Sequence, residues 1–350
     1  MTKLGQQQDW ISRSLGAAYA TLMPALLVLL FGIVAARSVQ AQTFTLLHNF
    51  NGPDGASPSA GLVRDAAGNL YGTTENGGSG CGSGQGCGGG VVFKVNKAGK
   101  VTVLYNFCSA SGCTDGAQPT GGLIQDAKGN LYGTTSGGGS SGYGTVFELS
   151  KNGTEKVLYS FAGGPSDGQW PEAELLMDAA GNLYSTTSAG GATRCEGYGC
   201  GTVFKLDTTG KETVLYSFTG GTDGGYPSGG LVRDKLGNLY GVIWQGGDYC
   251  FTNQDCGVLY KLSMSGTLTV LQRFTYEGKT NEGCWPYGTP VMDKSGNLFG
   301  TTEISGSYTA GVVWKVTQKG VETVLHNFSG SDGATPSAGV IMDCQWQPLW

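Results

Sequence analysis

The residues of this chain that could do chemistry are few, and most are fixed by repetition. There are two histidines, His48 and His326. Both occupy one slot of a recurring phrase that elsewhere holds Tyr105, Tyr159, Tyr216 and Gln272. A slot that accepts imidazole, phenol or amide reads as a packing or surface position rather than a general base. No G-x-S-x-G nucleophile elbow and no His-rich metal cluster is present. The glycine runs precede no helix that could offer its N-terminus to a phosphate. No catalytic residue is therefore assigned. One acidic feature recurs six times, an acid-Gly-x-x-Pro at Asp54, Asp115, Asp167, Asp223, Glu282 and Asp332. Ringed carboxylates are ligands for Ca²⁺ or a cationic group. The plainer reading is that Asp-Gly makes a turn and its carboxylate caps nearby amides. Recurrence in every copy favours the turn, so no cofactor is expected, with Ca²⁺ the ion such a ring would take.

The sharper signal lies where the copies differ. The residue before the repeated proline is Ser57, Gln118, Trp170, Tyr226, Trp285 and Thr335 in turn. Three consecutive copies carry an aromatic. The third copy also replaces the small residues after its proline with Glu172 and Glu174. Flat rings beside carboxylates suit a sugar, which stacks its C–H face on the ring and donates hydroxyls to the acids. The competing reading is that aromatic–proline contacts merely pack loops. Glu174 replaces Gly or Thr289 of its sisters and is expected to project inward. A lone carboxylate without an evident partner falls short of a glycosidase pair.

The elements that position these residues are legible from the repeat. Gly68-Asn-Leu-Tyr-Gly-Thr-Thr74 returns at Gly129, Gly181, Gly237 and Gly296. Around it stand three further strand-like runs per unit: a short one after the proline, a Gly-Val-Val-Phe-Lys-Val type run (91–95), and a Thr-Val-Leu-Tyr-Asn-Phe type run (102–107). They are β-branched and aromatic, and bounded by Gly, Asn and Asp. Four short antiparallel strands per copy predict an all-β fold, a β-propeller of four-stranded blades. Five blades are complete. Residues 43–50 read as a fourth strand and 336–343 as a first strand, so the two ends are expected to close an incomplete sixth blade. After Asp343 the phrase breaks into Cys344-Gln-Trp-Gln-Pro-Leu-Trp350, which reads as a truncation or frame disruption.

Compartment follows from the ends and the cysteines. Lys3 and Arg13 precede an apolar run from Ala17 to Ala36, and Val39-Gln40-Ala41 offers small residues to a signal peptidase. Residues 1–41 are expected to be a signal peptide and 42–350 the repeat domain, with no membrane span in the mature chain. The alternative is an uncleaved anchor. Ten cysteines fit an oxidising compartment. Eight fall into close pairs: Cys81 with Cys87, Cys108 with Cys113, Cys195 with Cys200, and Cys250 with Cys256. Local disulfides pinning loops are expected, with Cys284 and Cys344 left over. A net charge of −5 and 13% charged residues leave no basic footprint for nucleic acid.

The combination Gly-Asn-Leu-Tyr-Gly-Thr-Thr, Gly-Gly, then Gly-Thr-Val-Phe-Lys-Leu resembles the tandem GloVer repeat of exported bacterial proteins. The resemblance spans residues 43–343. A looser similarity is to NHL and gluconolactonase-type propellers, whose blades use a comparable Asp-x-x-Gly-Asn-Leu-Tyr turn. It implies a secreted or cell-envelope propeller and carries over no catalytic residues. The expected picture is a monomeric binding module for a glycan or cell-surface polymer. A propeller lactonase, lyase or glycosidase with a channel-mouth acidic site is the alternative, and a purely structural envelope protein the third.

Overall fold

A computed structural model describes residues 45–79, 88–191, 195, 197–246, 255–275, 283–343 and 348–349. The chain divides into two compact units, Met1–Leu47 and His48–Trp350. The second holds every strand described below. The expected signal peptide and the Cys81–Cys87 pair lie outside the described residues. Among the described residues no helix is long and apolar enough to cross a membrane.

Among the described residues the fold is all-β, with one short 3-10 turn at Ser111–Cys113. Five antiparallel meanders follow one another. Sheet 1 is Val63–Arg64, Leu70–Thr74, Val91–Val95 and Val101–Asn106. Sheet 2 is Ile124–Gln125, Leu131–Thr135, Thr145–Leu149 and Glu155–Ser160. Sheet 3 is Leu176–Met177, Leu183–Thr187, Thr202–Leu206 and Glu212–Ser217. In sheet 4 two short strands, Gly225–Pro227 and Val232–Arg233, share the first position on Leu239–Gln245, followed by Asp255–Leu262 and Leu268–Thr275. Sheet 5 is Cys284–Met292, Leu298–Ile304, Val312–Val316 and Glu322–Asn327.

The Asp-x-x-Gly-Asn-Leu-Tyr phrase builds the first turn of each sheet. In sheet 1 Asp65 Oδ1 accepts the backbone N–H of Asn69, while Oδ2 accepts Asn69 Nδ2 and the Tyr71 hydroxyl. Asp126, Asp178 and Asp234 repeat all three bonds. These donors hold the Asp65 carboxyl down at about 2, the Asn69 side chain foremost. The Gly after the Tyr makes room for the third-strand aromatic. A Cβ on Gly133 would stand 2.7 Å from Phe147 Cζ. The ladder between third and fourth strands shifts register just before that aromatic in every sheet, at Val92/Phe93, Val146/Phe147, Val203/Phe204, Leu259/Tyr260 and Val313/Trp314. A bulge bends the strand and re-aims the side chain.

Each sheet buries its faces on its neighbours, so the core is a series of shared clusters. One joins sheets 1 and 2 through Phe107, Leu123 and Phe147, and the next joins sheets 2 and 3 through Phe161, Leu175 and Phe204. Three devices recur at the joints, the threonine one missing from sheet 4, which carries Val242-Ile243 in place of Thr-Thr. The Phe ending the fourth strand meets the third-strand aromatic of the next sheet: Phe107 on Phe147 at 4.9 Å, Phe161 on Phe204 at 5.1 Å, Phe218 on Tyr260 at 5.2 Å and Phe274 on Trp314 at 5.5 Å. Edge-on and tilted pairs at this spacing add to area burial. The first Thr of Thr-Thr donates to a carbonyl of the next sheet: Thr73 to Gly121, Thr134 to Ala173, Thr186 to Gly229 and Thr301 to Ala338. The repeated proline lies against the Gly that opens the preceding third strand. Gly144, at φ +98°, would place a Cβ 2.2 Å from Thr135 O and 2.7 Å from Pro171 Cδ.

Two expectations need correction. Cys256 is bonded to Cys284 rather than to Cys250, which lies outside the described residues; Cys108–Cys113 and Cys195–Cys200 pair locally. Cys256 enters the third strand of sheet 4 and Cys284 opens sheet 5 beside it, so the bridge joins two sheets. Residues 45–50 form no strand, although Phe50 packs on Phe93 at 4.9 Å as the fourth-strand Phe does elsewhere. The first strand after the last proline, Ile341–Met342, pairs with Pro348–Leu349 in the register of a first-to-second strand pair.

Candidate binding face

The six residues before the repeated prolines share one unusual backbone state. Ser57, Gln118, Trp170, Tyr226, Trp285 and Thr335 have φ of 56°, 58°, 59°, 62°, 61° and 49°. An L-residue in this left-handed region costs about 1–2 kcal/mol. Backbone bonds on both sides hold it there. Trp170 N–H donates to Tyr143 O of sheet 2, and its carbonyl accepts Ser188 N–H of its own sheet. Gln118 does the same between Gly89 and Ser136. The position thus bridges two sheets, and glycine would fill it with least strain. A chain with 63 glycines places none at these six positions.

Ser57, Gln118 and Thr335 are exposed, and Trp170, Tyr226 and Trp285 are half-buried. Trp170 lies 5.6 Å from Tyr198 with 38° between the rings, and Tyr198 is 61% exposed. Trp285 lies 5.6 Å from Trp244, with 47° between the rings. Sequence reasoning missed Trp244. It follows the Thr-Thr position of sheet 4, where the sister sheets carry Glu75, Ser136, Ser188 and Glu303. The backbone N–H at this place bonds the pre-proline carbonyl in sheets 1 to 3. It is therefore a second variable position beside the first, and its variation after an almost invariant Thr-Thr was the available signal.

Glu172 and Glu174 reach solvent yet stand among protein atoms, and this desolvation pushes both carboxyls up. Glu75 of sheet 1 adds to the rise at Glu172, partly offset by a hydrogen bond from Ser188. Glu174 lies between Gly122 of sheet 2 and Gly230 of sheet 4, and its backbone carbonyl accepts Ser185 Oγ at 2.9 Å. Tyr287 of sheet 5 occupies the sister position of Glu172. Its phenol is pushed up by burial and then by Glu172 and Glu303. Sheets 1, 3 and 5 are not neighbours along the chain, yet their side chains here act on one another's charge. Trp170, Glu172 and Glu174 come from one sheet, Tyr226 and Trp285 from the next two.

The acid-Gly carboxylates serve the fold. Asp115 accepts from the Tyr105 hydroxyl, Ser109 N–H and Ser109 Oγ; Asp167 from the Tyr159 hydroxyl, Ala162 N–H and Gly168 N–H; Asp223 from the Tyr216 hydroxyl, Thr219 N–H and Thr219 Oγ1. In the end copies His48 and His326 take the tyrosine's part, bonding Asp54 at 2.6 Å and Asp332 at 2.9 Å. The Tyr/His slot, read from sequence as packing or surface, is the partner of the turn acid. Among the described residues no group of three or more His, Cys, Asp or Glu is arranged to hold a metal ion. Glu282 lies outside the described residues.

Tandem four-stranded sheets with an exchangeable pair of positions on one face define an all-β repeat protein. The chain belongs to the Gloeobacter/Verrucomicrobia repeat family, whose model matches residues 30–196 and 196–346. A search of curated proteins finds no match. Among solved structures, the chain is similar to a Bacteroides uniformis protein provisionally assigned as a 6-phosphogluconolactonase, at 14% identity and TM-score 0.48, over 83% of this chain and 76% of that one. It is also similar to a Bacteroides caccae protein of unknown function, at 13% identity and TM-score 0.44, over 80% and 85%. A luciferin-regenerating enzyme matches at 15% identity and TM-score 0.42, over 80% and 96%.

Proposed function

We propose that the protein is an exported binding module whose variable face takes a carbohydrate or cell-surface polymer. In this reading the sheets are blades of a propeller, with 45–50 and 336–343 bringing the chain ends to one incomplete blade. The observation that carries it is the retention of a side chain, never glycine, at six strained pre-proline positions, three of them aromatic in consecutive sheets. Trp170 with Tyr198 and Trp285 with Trp244 offer ring faces for sugar C–H groups, and Glu172 and Glu174 accept hydroxyls between them. Disulfides support export. A second reading, acid–base chemistry at the same face, is favoured by the raised carboxyls of Glu172 and Glu174.

Glycan-array binding by the purified protein, with and without Ca²⁺, beside a Trp170→Ala, Trp285→Ala variant, tests the reading. Saturable binding lost in the variant supports it. No glycan bound under either condition removes the carbohydrate reading, and Glu174→Gln in hydrolysis and lyase assays then tests the second.

A further inference from the structure

Ahead of sheet 1 stands a joint of which only one side is formed. At the joints after sheets 1, 2, 3 and 5, two backbone donors close on one dipeptide, the Gly that opens the third strand and the residue before it. The Phe after the fourth strand donates its N–H to the Gly carbonyl: Phe107 to Gly90, Phe161 to Gly144, Phe218 to Gly201 and Phe328 to Gly311. The pre-proline residue of the next copy donates to the carbonyl one place earlier: Gln118 to Gly89, Trp170 to Tyr143, Tyr226 to Cys200 and Thr335 to Ala310. Phe50 and Ser57 are the corresponding pair ahead of sheet 1. Among the described residues neither of their N–H groups has a partner.

The side chains repeat the pattern. The Val two places after the opening Gly (Val92, Val146, Val203 or Val313) is fully buried, in one cluster with the Phe and with the residue four places after the next proline. That last residue is 2%, 3%, 4% and 3% exposed at Leu123, Leu175, Leu231 and Val340. Leu62, in the same place ahead of sheet 1, is 51% exposed. Pro58 is exposed too, while Pro119, Pro171, Pro227 and Pro286 are buried. Phe50 already lies on Phe93 as its sisters do. A single exposed Leu requires no explanation. Leu62 and Pro58 do, because they stand beside two free backbone donors at a position whose sisters are covered.

We propose that this face binds, in trans, a Gly-x-Val-aromatic strand presented by a separate repeat-bearing polypeptide. The sister joints specify the occupant. Its opening Gly and the residue before it accept Phe50 N–H and Ser57 N–H, the Gly leaves room for Pro58, and its Val covers Leu62. Backbone bonds hold such an added strand, and the buried side chain selects it. The third strands of sheets 1 to 5 are each already paired on both sides. A second copy of this chain therefore has none of them to lend without opening a sheet, and the donor is a polypeptide whose strand is unpaired.

The test is fluorescence anisotropy of a labelled synthetic peptide, Tyr143-Gly-Thr-Val-Phe-Glu-Leu-Ser-Lys151, titrated with the purified full chain. The peptide controls are a Val146→Asp version and a scramble of the same composition. The protein controls are Leu62→Asp and Leu236→Asp, two exposed sites where an acid leaves the fold intact by circular dichroism. The expected result is saturable 1:1 binding, at least tenfold weaker for either control peptide and for Leu62→Asp, and unchanged in Leu236→Asp. Tm should rise with peptide concentration, since the peptide binds the folded chain alone. Absence of saturable binding, equal binding of a control peptide, or equal binding by Leu62→Asp overturns the proposal. So does a dimer of the chain, seen by light scattering without peptide and dissociated by Leu62→Asp, because a second copy would then cover the face. The Trp170→Ala, Trp285→Ala variant is expected to bind the peptide as the parent does, which keeps this test separate from that of the aromatic face.

Discussion

Replacing the exposed pre-proline residues with glycine is expected to stabilise the protein. Ser57, Gln118 and Thr335 lie at φ of 56°, 58° and 49°. Removing Cβ from the left-handed region relieves about 1–2 kcal/mol per site. Glycine returns roughly 0.5–1 kcal/mol of this through the larger entropy of its unfolded chain. The net gain is on the order of 0.5–1 kcal/mol per site, with Thr335 at the upper end because a β-branched residue is least at ease there. The three sites belong to different repeat copies and share no contact, so the gains should add to about 2 kcal/mol. For a chain of this size that is a rise of roughly 3–6 °C in Tm. The assay is thermal and urea unfolding of Ser57→Gly, Gln118→Gly, Thr335→Gly and their combination. Gln118→Ala is the control, because alanine shortens the side chain but keeps the strain; it should gain nothing. Glycine variants that lose 1 kcal/mol or more, or an alanine variant that gains as much as glycine, would refute the argument that these positions hold strain for the sake of a displayed side chain.

Other expectations concern the joints and the buried acids. Burial, followed by the charges of Asp115 and Asp167 respectively, raises Glu155 and Glu212 to about 7. Since the folded value exceeds the unfolded one, their stabilising contribution is complete below about 4.5 and is lost as pH rises through 7. After discounting for solvent screening each contributes on the order of 1 kcal/mol, so Tm should fall between pH 5 and 8, and Glu155→Gln with Glu212→Gln should flatten that fall. Thr134→Val removes the donor to Ala173 O inside a buried joint. A loss of about 1–2 kcal/mol in urea unfolding is expected, while Thr120→Val, outside any such bond, should change little. Cys256→Ser opens a bridge spanning 28 residues. Chain entropy puts the loss near 3–4 kcal/mol, and non-reducing peptide mapping should recover Cys256 joined to Cys284.

The repeat phrase was legible because each letter of it has a local task. Asp65, Asn69 and Tyr71 bond one another within seven residues, so their spacing alone announced the turn. The short strands and their order followed from β-branched runs between such turns. What the sequence concealed were contacts between copies. Spacing offered Cys250 as the partner of Cys256, and only the apposition of sheets 4 and 5 reveals Cys284. His48 and Tyr105 looked like fillers of a tolerant slot because their partner acids, Asp54 and Asp115, belong to a different phrase of the repeat. Trp170, Tyr226 and Trp285 stood out by differing from their sisters. Trp244, Glu75 and Glu303 differ just as plainly, but the second variable position acquires meaning only when its N–H is seen to bond the first.

The joint devices divide each unit into plug and socket. A unit presents its proline, its first-strand carbonyl and its third-strand aromatic to the copy before it. To the copy after it, the same unit offers its glycine, its threonine and its terminal phenylalanine. Duplicating such a unit carries both halves of the joint at once, so an added copy docks without any redesign of its neighbours. The two variable positions stand outside these parts. A lineage of such chains can therefore lengthen by copying and diversify what it displays by single substitutions, with neither process touching the other.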